Sequence, residues 1–300
     1  MRVLPALAGI TLAEATIGVF VKLVGPEIPV LTLNFYTVLF AAVFFMLALT
    51  FGAGRSIGFP RDNLKDTLII GVLIATQLSL FNIAMTLAPI ANVVIFWSVA
   101  PFFTFIFSTI FLGEEPRKTQ FFIFILAIIG VVIAKPLEGG YALGNAIALS
   151  TGVTYAMQIT YMRHEGKEDE SEDIFWSLVF ASVFLFPAVL YFGPGDLLTL
   201  GPQGVAPVLI WAACLGMFSR GLSYYLIATV LNTINANIYS LVDVIVSPLF
   251  AAVFGWIIFS EVPTTDMIIG GSILIGSGFL LTWTRREETE RAVRELGRGT

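Results

Sequence analysis

Apolar runs fill the sequence from residue 4 to residue 284 and leave few ways for the chain to fold. Ten of them, at 4–25, 29–52, 65–88, 90–112, 118–135, 141–163, 174–194, 205–230, 234–259 and 265–284, come close to the ~20 residues an α-helix needs to cross a bilayer. In lipid every backbone N–H and C=O must be satisfied by the segment or its neighbours, so only helices and closed barrels span. Barrel strands would read as weaker, alternating segments of about ten residues, and the runs here are continuous. Charged residues make up 12% of the chain, about half the ~25% usual in soluble domains. Apolar residues make up 57%, Phe alone contributes 27, and mean hydropathy is +0.90. The expected fold is an all-α membrane protein of ten transmembrane helices. Residues 4–25 are long enough to span and are followed at once by a second span, so they read as a first transmembrane helix, not a cleaved leader.

Lys and Arg set the orientation, because cytoplasmic loops carry the excess of both. With both termini cytoplasmic, thirteen of the sixteen fall inside: Arg2, Arg55, Arg61, Lys65, Arg117, Lys118, Arg163, Lys167, Arg285, Arg286, Arg291, Arg294 and Arg298. Lys22 and Lys135 fall outside, and Arg220 lies within the membrane. Lys22 is close enough to the surface to snorkel and reads as an anchor. The acidic run Glu168–Asp173 and the tail from residue 285 read as solvated cytoplasmic surface, the tail's arginines resting on anionic head groups.

Several chemistries are excluded. A single cysteine, Cys214, allows neither an intrachain disulfide nor a thiolate cluster. The only histidine, His164, sits among acids at a helix end. There is no Gly-x-x-x-x-Gly-Lys phosphate loop. Asp243 stands in Val242-Asp243-Val244 and lacks the Gly-x-Gly-Asp setting of an intramembrane aspartyl protease. No metal, cofactor or nucleic acid is expected.

The ten spans divide into two fives. Ser98-Val99-Ala100-Pro101-Phe102, exiting through Gly113-Glu114-Glu115-Pro116, is echoed by Ile245-Val246-Ser247-Pro248-Leu249, exiting through Ser260-Glu261-Val262-Pro263. One offset of 147 residues aligns Pro101 with Pro248, Glu114 with Glu261 and Pro116 with Pro263. Each copy runs into a Gly-bearing last helix, through Gly130 in one and Gly276 and Gly278 in the other. Five is odd, so the copies enter the membrane from opposite faces. Arg117 and Lys118 follow the first exit and no base follows the second, which agrees. The expected units are 1–139, 140–284 and the charged tail 285–300.

This doubled pattern resembles the EamA-type drug/metabolite transporter superfamily, and the resemblance covers essentially the whole chain. It implies two inverted five-helix halves around a central cavity, with the fifth and tenth helices at the periphery. Glu14-Ala15 stands where the family often has Trp-Gly, and Asn34 where an Arg often begins the second helix, so the resemblance implies no substrate class.

Three charges fall near mid-membrane. Arg220 and Asp243 flank a turn at residues 231–233, each about 17 Å from it at ~1.5 Å per helical residue, and Glu14 lies midway along the first span. Charges at that depth are costly and face a partner or a wet cavity. Asp243 shares a four-residue stripe with Asn235, Tyr239 and Ser247, and Tyr224 lies one turn from Arg220. Gln77 and Asn82 on span three, Tyr155 and Gln158 on span six, and Trp97 before Pro101 complete the candidate lining. Beside that face of span six, Gly144, Ala148, Gly152 and Ala156 form a small-residue ridge for close packing. Either Arg220 takes a substrate carboxylate while an acid takes an amino group, which suits export of an amino acid or other zwitterion, or Arg220 stays paired with Asp243. In that second case Glu14 alternates between a proton and an organic cation. A channel or an intramembrane enzyme is the distant alternative. Expected partners are a small-molecule substrate, the bilayer of the cell (inner) membrane and a coupling proton or ion, in a monomer or homodimer.

Overall fold

The computed structural model describes residues 3–52, 57–113, 118–134, 140–164, 171–195, 201–226 and 246–296. Asp243, Tyr239, Asn235, Glu114 and the turn at residues 231–233 lie outside them. Among the described residues the chain is helical, and a helix falls within each of the ten apolar runs. In order these are α1 (Val3–Ala15), α2 (Ile17–Val24), α3 (Val30–Leu47), α4 (Leu64–Leu87), α5 (Ile90–Trp97), α6 (Ala100–Phe111), α7 (Lys118–Ile133), α8 (Ala142–His164), α9 (Ser171–Phe192) and α10 (Gly201–Ala213). A π-helical stretch, Cys214–Leu222, continues α10, and α11 (Ser247–Phe259) and α12 (Thr265–Leu296) follow. Among the described residues six stretches are long and apolar enough to cross a membrane, and three shorter apolar helices join them.

Among the described residues three of these spans are interrupted near their middles. The first breaks at Thr16, whose hydroxyl donates to the Ala13 carbonyl at 2.7 Å. The fourth breaks between α5 and α6 because Pro101 has no N–H to give Trp97 and its ring crowds that carbonyl. Ser98 absorbs the break, its N–H reaching Val94 at 3.1 Å and its hydroxyl the same carbonyl at 2.8 Å. The eighth widens into the π stretch, and α11 opens on Ser247-Pro248, with proline where a helix start tolerates it.

Small residues bring the backbones together. A Cβ on Gly152 would stand 2.7 Å from Val99 Cγ2 and 3.0 Å from the Trp97 carbonyl, so the expected ridge of α8 seats against the α5–α6 break, with Ala148 and Ala156 fully buried. The fifth and tenth spans cross just as closely. A Cβ on Gly130 of α7 would lie 2.8 Å from the Gly270 carbonyl of α12. Gly276, the other glycine singled out in that span with Gly278, meets nothing within 4 Å. The outer faces of this pair, including Phe121, Phe122 and Val132 on α7 and Ile268 and Ile269 on α12, are exposed apolar surface, suited to lipid or to another apolar face.

The tail adds a feature that its charge pattern alone did not specify. The charged segment from residue 285 continues α12 as helix to Leu296. Glu287 and Glu290 stand four residues ahead of Arg291 and Arg294, the order of acid and base that favours a helix in water.

Candidate functional site

The three interruptions and the Ser247-Pro248 start of α11 surround one cavity. It is lined by Glu14, Ile17, Gln77, Phe81, Val94, Trp97, Tyr155, Arg220, Tyr224, Ser247, Pro248 and Ala251 and holds about 540 Å³ of empty space, its open mouth included. Span one supplies Glu14 beside its break, span four Trp97 at the end of α5, span eight Arg220 from the π stretch and span nine the Ser247-Pro248 start. A π stretch re-aims its side chains and recurs at functional sites, and broken helices at mid-membrane are tolerated where they line a cavity.

Arg220 is 8% exposed, and among the described residues its Nε and Nη2 find no acceptor. Its guanidinium lies over the Phe81 ring, 5.5 Å from the centroid, an arrangement that attracts a cation to the ring face. Glu14 is held by two hydroxyls: Ser223 donates to Oε1 and Ser247 to Oε2, both at 3.0 Å. One of those serines comes from span eight and the other from span nine, so the carboxylate ties span one to both. Thr16, two residues on, bonds Ser219 Oγ at 2.8 Å and strengthens the same junction. The Trp97 Nε1–H and Gln77 Oε1 are buried in the wall without partners among the described residues. Trp97 lies 5.3 Å from Tyr155 and edge-on to Phe81 at 6.2 Å, centroid to centroid. The wall therefore offers unsatisfied N–H donors at one place, a hydroxyl-held carboxylate and an amide oxygen at others, and aromatic rings between.

Of the residues expected from sequence, Arg220, Glu14, Tyr224, Gln77, Tyr155 and Trp97 come together here. Asn82 does not. It is fully buried and donates from Nδ2 to Asn34 Oδ1 at 2.7 Å, joining α3 to α4. Gln158 is also off the lining, its amide resting 3.9 Å from Met162 Sδ one turn along α8. Lys22, expected as an anchor, is partly exposed, and its ammonium pairs with Glu261, the acid of the second Glu-x-Pro exit. Sequence reasoning missed Phe81 and Ser223. Phe81 stands one turn from Gln77 and Ser223 three residues from Arg220, both on faces already marked by their neighbours.

Comparison with known proteins gives the same architecture. A solved structure titled only as the crystal structure of a protein superposes with a TM-score of 0.64 at 17% identity, over 93% of this chain and 97% of that one. The chain is 24% identical over 237 residues to the pseudopaline exporter of Pseudomonas aeruginosa, covering 77% of this chain and 79% of the exporter. It is 25% identical over 270 residues to an uncharacterized transporter of Archaeoglobus fulgidus, covering 89% and 91%. The sequence pattern of the EamA-like transporter family matches twice, at residues 3–134 and 142–283. With both halves matched and the broken spans gathered about one cavity, the chain belongs to the EamA-like transporter family and is a multi-pass membrane transporter, not an enzyme.

Proposed function

We propose that this transporter exports a small zwitterionic metabolite, an amino acid or a close relative, from a cell whose inner membrane it crosses with both termini cytoplasmic. The observation that carries this reading is Arg220, a cation nine-tenths buried whose Nε and Nη2 have no acceptor among the described residues and which lines the same cavity as the Glu14 carboxylate. Leaving such donors unmet is expensive, and a substrate carboxylate is the ligand a guanidinium fork fits best. The Trp97 N–H can share that carboxylate, while Glu14 and Gln77 Oε1 can accept from an ammonium group. The aromatic wall takes the remainder of the molecule. The name of the Pseudomonas aeruginosa relative supports export as the direction. Glu14 is the residue proposed to couple transport to protons.

Purified protein in liposomes should show saturable uptake of one or more amino acids, stimulated by the same compound inside. Channel-like steps, or no zwitterion among the compounds exchanged, would overturn the reading. A second reading is proton-coupled efflux of hydrophobic organic cations. It is supported by the Phe81, Trp97 and Tyr155 rings beside an acid, a setting that suits a cation as well. Counterflow by cationic dyes but not by amino acids would select it.

A further inference from the structure

A second polar constellation lies one helical turn beyond the cavity, on the face that carries few bases. Its centre is the Glu261 carboxylate. Oε1 pairs with the Lys22 ammonium, and Oε2 accepts the Ile90 backbone N–H at 2.8 Å, the first free N–H of α5. A carboxylate at a helix N-terminus also meets the positive end of the helix dipole. Lys22 in turn lies 5.7 Å from the centroid of the Phe259 ring.

The backbone is bent to deliver that carboxylate. Ser260 has φ 56°, the left-handed region that non-glycine residues seldom enter, and it is the only non-glycine residue with positive φ among those described. The Glu261 N–H then reaches back to the Gly255 carbonyl at 3.2 Å, folding the acid over the end of α11. This is the left-handed cap with which many helices end, here on a serine in place of the usual glycine, and it sets the direction in which Glu261 leaves α11.

Beneath the charges is a dry seal. Ile90 is completely buried between two glycines. A Cβ on Gly18 would stand 3.0 Å from Ile90 Cγ1 and from Met85 Sδ, and one on Gly255 would stand 3.2 Å from Ile90 Cβ. Val94 and Ala251, one turn inward from Ile90 and Gly255, line the cavity, as does Ile17 next to Gly18. Lys22, Gly18 and Ile90 belong to the first half of the chain, Gly255 and Glu261 to the second. Any motion of one half against the other that opens the cavity on this face must therefore separate Glu261 from both its partners.

We propose that Glu261, Lys22 and the Ile90 N–H form a latch that holds this face of the cavity shut, with Glu261 as its positioning residue. Both side chains keep some exposure, 18% for Lys22 and 16% for Glu261. Water can therefore replace each partner when the latch parts, and the contact can be remade in every cycle. The inference rests on the chain being a transporter, not on the substrate proposed above. It assigns the latch to one face, whichever face that is in the cell.

The test is the reaction rate of a cysteine placed at Ala251, in a Cys214→Ser background, with a membrane-impermeant maleimide applied to each side of the bilayer in turn. With the native latch, labelling from the latch face should be slow. Lys22→Met should speed it several-fold. Glu261→Ala, which also removes the acceptor for Ile90, should speed it tenfold or more. Lys22→Arg should leave it slow, and Lys22→Met with Glu261→Ala should be no faster than Glu261→Ala alone. Unchanged rates in folded Lys22→Met and Glu261→Ala protein would overturn the proposal, as would equal acceleration from both faces, which marks general loosening. A protein that binds no zwitterion leaves these rates untouched, so failure of the substrate reading and failure of the latch are distinguishable.

Discussion

An arginine at mid-membrane costs a helix about 3 kcal/mol on insertion scales, and Arg220 recovers part of that from the Phe81 ring face and the shelter of the cavity. If its remaining donors hold a substrate carboxylate, Arg220→Gln should weaken zwitterion binding by tenfold or more, since hydrogen bonds to a charged group contribute roughly 1.5–3 kcal/mol. Organic cations should lose far less. Ligand-induced shifts in melting temperature measure both, and equal losses would count against the role. Glu14 invites a different substitution. Each of its oxygens takes one serine hydroxyl, and a hydroxyl can donate or accept, so Glu14→Gln can keep both contacts by turning one serine. The variant should fold with little change in melting temperature and retain exchange, yet lose flux driven by a pH gradient; unaltered coupling would remove Glu14 from that role. That both residues would be drawn to a polar site was legible from the sequence, because a lone charge in an apolar run stands out, and both line the cavity. The serines around Glu14 were harder to find, since a small hydroxyl in a transmembrane helix more often bonds its own backbone, as Ser272 and Ser277 do here. Asn82 and Gln158 failed as lining because a buried amide is as readily satisfied between helices as by a ligand, and their position along the span does not distinguish the two.

Among the helices, proline at matched places and glycine at crossings do most of the positioning. The break in span four could be read from Pro101 alone. The break at Thr16 and the π stretch Cys214–Leu222 could not, because neither carries a proline and both depend on what packs against them. Thr16 is drawn to Ser219 on another span. In the π stretch, a Cβ on Gly216 would come within 2.6 Å of the Thr37 carbonyl, so span eight lies directly on α3. The resemblance places the fifth and tenth spans at the periphery and each carries glycine, but it does not foretell that they cross, at Gly130 and Gly270 and not at Gly276. Gly270→Leu should accordingly lower stability by roughly 1–3 kcal/mol, the usual cost of overpacking, because its neighbours are backbone atoms that cannot swing aside. Gly276→Leu, facing open space, should leave the melting temperature where it is. Equal melting temperatures for the two variants would mean that α7 and α12 do not cross as described.

At the scale of the molecule, the polar architecture follows from two halves that share a plan. The offset of 147 residues places Pro101 opposite Pro248 and Glu114 opposite Glu261, and the match of one family pattern to residues 3–134 and again to 142–283 has the same origin. If each half crosses the membrane five times, the junction between them must lie on the face opposite both termini. Gly140 marks that junction. It is exposed, and a side chain there would meet nothing within 4 Å, so a cysteine at this position can report its side without disturbing the fold. Single-cysteine variants Gly140→Cys and Thr300→Cys, each with Cys214→Ser, should react with an impermeant maleimide from opposite faces of the cell membrane: Gly140→Cys from outside in intact cells, Thr300→Cys only after lysis. The charge count supports that assignment, because the lysines and arginines gather with the termini. Labelling of both positions from one face would require an even number of crossings in the second half and, because the halves share a plan, in the first as well. The two prolines would then run in the same direction, and the matching spacings would no longer imply a cavity closed alternately by equivalent ends of the two halves.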